Sequence, residues 1–210
     1  MIRKITKIVL VLLVALTLTS SEYPVLATEG ENTKIEIDTL NVIVPYNINE
    51  IEVIKEENSQ ETRVTIIDKA TSEIIRVVGE LKPKSRSYYN RTLYEEYTNG
   101  PCVSRLYADF YMYGEGSFHE IVDVTVTYWK TASSGGWTLE EKHSGYTKMK
   151  PNKFEIYGNA TIEVASTSSM GIDFGFDFFD DLGFSMSGSK TSTWYAREII
   201  DGGFVYEINR

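Results

Sequence analysis

The side chains of this 210-residue chain that could do chemistry are carboxylates and tyrosines rather than histidines or cysteines: 30 Asp and Glu and 14 Tyr against two His and one Cys. Two carboxylates at the right separation can cleave a glycosidic bond, but that separation is spatial. Glu120 and Asp123 are close in sequence, yet alternation places them on opposite faces if residues 120–130 form one strand. His119, beside a turn, and His143, near a strand end, fit no zinc spacing and read as exposed strand-edge residues. The chain has no Gly-x-Ser-x-Gly elbow, phosphate-binding glycine loop or Cys-x-x-Cys. The expectation is a non-enzymatic protein with no cofactor and no catalytic residues.

Other clusters suggest binding. Asp173, Asp177, Asp180 and Asp181 form the densest acidic group, a weak calcium candidate that matches no EF-hand and also fits a solvated face and turn. Tyr107, Tyr111 and Tyr113 alternate with apolar residues and, with Trp129, could form an aromatic platform for a cell-surface glycan or protein. Arg105 could stack on Trp129 across the hairpin. The competing reading buries this face under another part of the fold. Cys102 has no partner cysteine, so neither an internal disulfide nor a disulfide-linked partner is expected, and it reads as a small buried residue.

The elements that must position these residues are strands. From 102 to 112, Cys102, Ser104, Leu106, Ala108, Phe110 and Met112 alternate with Arg105 and the tyrosines. Residues 114–117 turn the chain. Val122, Val124, Val126 and Tyr128 then share one face, and Asp123, Thr125, Thr127 and Trp129 the other. Ser133-Ser-Gly-Gly136 closes a second hairpin onto Trp137 and Leu139. Residues 153–164 alternate strictly, with Phe154, Ile156, Ala160, Ile162 and Val164 inward. Residues 63–67 and 73–78 flank a polar turn and read as a hairpin. No window shows a helical period or a repeat.

The segment 166–192 is amphipathic with Ser/Thr-rich flanks. Met170, Ile172, Phe174, Phe176 and Phe178 alternate with Gly and Asp, and Phe184 and Met186 follow. In pattern it resembles the membrane-inserting hairpins of small β-pore-forming toxins, which implies one face toward lipid and one toward a polar lumen. An ordinary core hairpin gives the same pattern. Asp177 to Gly183 also fits a capped helical turn.

The N-terminus sets the compartment. Arg3, Lys4 and Lys7 precede an apolar run from Ile8 to Leu18, and Val25-Leu26-Ala27 suits a signal peptidase. Cleavage after Ala27 leaves 183 residues with a net charge near −11, so no nucleic-acid partner is expected, and anionic lipid and anionic wall polymer are repelled. No lipoprotein cysteine and no sorting signal is expected to anchor the product. Asn90-Arg-Thr92 and Asn159-Ala-Thr161 are glycan acceptors only in a eukaryotic host. Composition shifts near Lys82-Pro83-Lys84-Ser85. The expected organisation is a signal peptide (1–27), a small N-terminal β segment (28–82) and a β-sandwich-like core domain (83–210). The fold class is all-β and mainly antiparallel, with an open barrel as second choice. The expected function is binding, at or outside the cell surface. A small pore-forming or membrane-active protein comes second, and a hydrolase with a carboxylate pair third.

Overall fold

The computed structural model describes residues 32–37, 40–82, 90–115, 118–165, 174–189 and 193–208. Two antiparallel sheets pack face to face as an all-β sandwich. The first sheet runs in the order β1 (Thr33–Glu36), β2 (Leu40–Val44), β12 (Trp194–Ile208), β10 (Lys153–Val164) and β9 (Trp137–Lys150). A short strand, β11 (Ser185–Gly188), pairs with the start of β12. The second sheet is a meander of β3 (Ile51–Glu57), β4 (Glu61–Asp68), β5 (Ile74–Leu81), β6 (Asn90–Asn99), β7 (Cys102–Glu115) and β8 (Phe118–Thr131). The composition shift at 82/83 falls between β5 and β6, which pair with each other. Strands on both sides of it fill one core.

Alternation explains most of the core. Cys102, Ser104, Leu106, Ala108, Phe110 and Met112 are buried on β7, as are Phe154, Ile156, Ala160, Ile162 and Val164 on β10. Phe110 meets Phe154 and Tyr206 edge-on, each at 6.1 Å between ring centres. Each such side chain removed from water contributes about 1.5–3 kcal/mol. The β4–β5 hairpin forms as expected. Asp68 Oδ1 accepts hydrogen bonds from the amides of Ala70 and Thr71, at 2.7 and 3.0 Å, and so builds its turn. The Cys102 thiol is free and buried, and burial pushes its pKa up to about 12, which leaves it unreactive.

Three expectations are corrected. First, β8 does not alternate cleanly. Its register with β7 slips between Asp109 and Phe110 and again between Tyr111 and Met112. Thr125 and Val122 are the extra residues, and each bulge reverses the pattern. Ile121, Val124 and Trp129 are therefore inward, while Val122 and Val126 are 49% and 46% exposed. Glu120 and Asp123 pair with Tyr113 and Tyr111, so by register they share a face rather than opposing each other. Second, the connection at 132–136 is a corner between sheets rather than a hairpin. It does lead to the buried Trp137 and Leu139, but β9 pairs with β10. The seam between β8 and β9 is tied by side chains. Thr127 Oγ1 donates to Ser144 Oγ (3.0 Å), Trp129 Nε1 to the His143 carbonyl (3.1 Å) and Tyr146 Oη to Asp123 Oδ1 (3.3 Å). Third, residues 176–181 form a short helix, α1 (Phe176–Asp181), rather than a strand; this is close to the alternative helical turn, with Gly183 following it at a φ of 86°, but Gly175 and not Asp177 stands at its N-cap.

The interior is not wholly apolar. Arg76 pairs with Glu95 at 2.9 Å and Arg91 with Glu80 at 2.9 Å, with both carboxylates buried. Tyr97 Oη donates to Glu95 at 2.6 Å and accepts the Gly203 amide of the opposite sheet at 2.9 Å. Glycine permits this approach. A Cβ on Gly202 would lie 2.3 Å from the Tyr97 hydroxyl, and one on Gly158 would lie 2.8 Å from the Trp129 indole nitrogen.

Candidate binding surface

The expected tyrosine face divides in two. Across β6, β7 and β8 the register aligns Tyr94, Tyr107 and Tyr128 on the outward side of the second sheet. Tyr107 stacks on Tyr128 at 5.1 Å, and Tyr94 leans on Tyr107 at 5.7 Å. Cations close the two ends. The Arg105 guanidinium lies 4.0 Å above the Tyr94 ring, and Lys130 Nζ lies 4.8 Å from Tyr128. Gly79 makes room for Tyr94, since a Cβ there would come within 2.2 Å of that ring. Most of the polar tips are paired as well, although the Arg63 Nε is buried without a hydrogen-bond partner. Tyr94 Oη donates to Glu61 (3.0 Å), Arg105 Nε to Glu96 (2.8 Å) and Arg63 Nη2 to Glu96 (2.6 Å). Burial raises the Tyr94 phenol well above its ordinary range. Burial, with Asp109 alongside, pushes Tyr128 up to about 12.

This ladder therefore spends its ring faces and charges on itself. Arg105 and Tyr107 belong to it and offer little to a ligand. Trp129 belongs elsewhere: it is buried on the inward side, 5.2 Å from Tyr97. The expected Arg105–Trp129 stack is replaced by Arg105 over Tyr94, because the β8 bulges turn Trp129 inward.

Tyr111 and Tyr113 stand clear of the ladder and are 42% and 44% exposed. They lie toward the end of β7. The Tyr146–Asp123 bond puts β9 beside this region, and Asp123 pairs with Tyr111. Along the seam Trp129, Thr127 and Asp123 meet His143, Ser144 and Tyr146 in turn, so β8 and β9 run antiparallel and the start of β8 lies at the same end of the sandwich as Pro151-Asn152. That end displays Tyr111, Tyr113, Val122, Tyr146 and Met149, all exposed. Sequence alternation found the first two. The others were missed because the seam joins strands of different sheets, and only the bulge exposes Val122.

The phenylalanine segment packs differently from expectation. Phe179, outside the predicted alternation, is fully buried, with Phe184 at 5.1 Å and Trp194 at 5.8 Å. Phe174, Phe176, Phe178 and Met186 are partly buried against the same core. Phe184 is buried where alternation places it. Met170, Ile172 and Asp173 lie outside the described residues. Asp177, Asp180 and Asp181 are exposed on α1, and among the described residues no His, Cys, Asp or Glu cluster is arranged for a metal ion. Among the described residues no helix is long and apolar enough to cross a membrane.

His143 is exposed on β9, where its carbonyl accepts the Trp129 indole N–H. The side chain of His119 lies outside the described residues. A depression of about 480 Å³ on the first sheet brings together Glu141 and Glu198, which the sequence reading did not name. Glu141 adopts φ of 48° at the β9 bulge and accepts the Thr161 hydroxyl at 3.3 Å. Burial raises the Glu198 carboxyl. Their separation of 57 positions carries no sequence signal.

Comparison with known protein families, curated proteins and solved structures finds no match to this chain.

Proposed function

We propose that this protein is exported, with residues 1–27 removed, and works at an extracellular surface by binding rather than by catalysis. The observation that carries the reading is the contrast between the two tyrosine groups. The ladder is closed at both ends by cations and bonded to its own carboxylates. Tyr111, Tyr113, Tyr146 and Met149, each at least 41% exposed, present amphipathic surface at one end of the sandwich. Tyrosine gives large contact area at low entropic cost and suits such a role.

The test is retention of the secreted protein on a panel of polysaccharide-coated beads, protein-coated beads and phospholipid vesicles. A Tyr111→Ser/Tyr113→Ser variant should lose retention by whichever member holds the wild type. A Tyr128→Phe variant in the ladder should keep it. Retention that survives the first change, or vanishes only on substituting Ile199 on the outward face of the first sheet, would refute the reading.

A further inference from the structure

Four glycines meet in the middle of the first sheet: Gly145 on β9, Gly158 on β10, and Gly202 and Gly203 on β12. Gly158 and Gly202 make room inward, for the Trp129 indole and the Tyr97 hydroxyl. Gly145 and Gly203 are the register partners of Tyr157 on either side, so all three share the outward face. The Tyr157 ring leans over Gly145, where a Cβ would come within 3.0 Å of its hydroxyl. Tyr94 leans over Gly79 in the same way, but there the Arg105 guanidinium sits on the ring. Tyr157 is 48% exposed. Among the described residues its ring meets no other ring or cation, and its hydroxyl makes no hydrogen bond.

Bare backbone on both sides of one ring makes a trough across three strands. Two rows of side chains border it. On one side stand His143, Asn159 and Asp201, register partners of one another and all exposed. On the other stand Thr147, Glu155 and Val205. The border rows are about 14 Å apart along the strands and the trough is about 10 Å long, room for about two sugar rings in line. Among the described residues the side chains of His143, Asn159 and Asp201 have no hydrogen-bond or ion-pair partner.

We propose that this trough binds a short, unbranched, uncharged oligosaccharide. A sugar ring stacks on Tyr157, and its hydroxyls bond the imidazole, amide and carboxylate of the adjoining row, which between them donate and accept. The surroundings select against other occupants. β10 is paired on both edges, so an extended peptide cannot add here as a strand. Neither border row holds a lysine or arginine for a phosphate or sulfate, and Asp201 and Glu155 repel one. One ring in a row of backbone is too little apolar surface to hold an acyl chain. The inference goes beyond the surface-binding reading and stands independently of it. The trough lies on the broad side of the sandwich, so a bead or vesicle against the tyrosine end does not cover it. A single stacked ring makes a weak site, filled by soluble sugar at about millimolar concentration and too weak to hold the protein on a washed bead.

The experiment is chemical footprinting of the secreted protein with soluble tetrasaccharides of glucose, mannose, xylose and N-acetylglucosamine, and with a uronic acid tetrasaccharide as the charged counterpart. At least one neutral chain should protect Tyr157 while Tyr111 and Tyr195 keep their reactivity, and the uronic chain should not protect it. In a titration followed by NMR, Tyr157→Ser and Asn159→Ala/Asp201→Ala should each weaken binding about tenfold or more. These side chains are exposed and unpartnered, so the urea midpoints of the variants should match the wild type. Failure of every neutral chain to protect Tyr157, equal binding of the uronic chain, or binding unchanged by Asn159→Ala/Asp201→Ala would overturn the proposal. Protection of Tyr111 and Tyr113 in place of Tyr157 would overturn the trough and leave the surface reading intact.

Discussion

The hydroxyl of Tyr97, on the second sheet, accepts a 2.9 Å hydrogen bond from the Gly203 amide on the first. It also donates to the buried Glu95 carboxylate at 2.6 Å, so one phenol links a backbone amide of one sheet to an ion pair of the other. Tyr97→Phe keeps the ring but leaves both partners unsatisfied. A loss of about 1–3 kcal/mol in urea unfolding is expected. Gly202→Ala pushes a methyl group against the same hydroxyl and should cost about 1–3 kcal/mol through overpacking. If both variants unfold with the wild type, this contact contributes nothing to stability.

Glu95 makes stability pH-dependent. Burial raises its carboxyl above the ordinary value, with Arg76 and Tyr97 opposing part of the shift. A raised folded-state pKa means that the folded protein holds the proton after the unfolded chain has released it. This group's contribution is then complete below the ordinary carboxyl pKa and falls as pH rises toward the folded value. Glu95→Gln should flatten the stability profile across that window. Urea midpoints at several pH values check it, and an unchanged slope would rule out Glu95 as the source.

The buried face of β10 should not tolerate charge. Ile156→Asp or Ile162→Asp places an unpaired carboxylate in the core and should cost several kcal/mol, enough to abolish the fold. Glu155→Lys, on the other side of the strand, should change stability by less than about 0.5 kcal/mol. Equal tolerance at both positions would contradict the placement of β10 between β9 and β12.

Around α1 the cost of shortening a ring should follow burial. Phe179→Ala should destabilise by about 3–5 kcal/mol, because this ring is enclosed by Phe184 and Trp194. Phe178→Ala, stacked at 4.3 Å on Phe174 at the margin of the core, should cost less. The reverse order would mean that the helix is misassigned and the alternating-strand reading stands.

Period-two patterning was readable wherever a strand keeps one register. β7 and β10 announced their buried faces, and Asp68 announced its turn. β8 did not, because a bulge adds one residue without any residue type that marks it. Thr125 and Val122 are ordinary strand residues, yet they move Trp129 into the core and Val122 out of it. The change of sheet between β8 and β9 was equally hidden, since Ser133-Ser-Gly-Gly136 suits either a hairpin or a corner. Tyr111 and Tyr113 were legible as an outward pair. The stacking that withdraws Tyr107 and Arg105 from ligands was not, because Tyr94 and Gly79 come from two other strands. Around Phe179, packing on Trp194 overrode an alternation that pointed to a strand.

Five tyrosines have nearly equal exposure, from 40% to 48%: Tyr111, Tyr113 and Tyr146 at the proposed binding end, and Tyr157 and Tyr195 on the outward face of the first sheet. Chemical footprinting of these rings, with and without whichever bead or vesicle of the panel retains the protein, tests the central claim most directly. Protection of Tyr111, Tyr113 and Tyr146, with Tyr157 and Tyr195 still reactive, is the predicted result. Protection of Tyr157 and Tyr195 in place of the first three would contradict it.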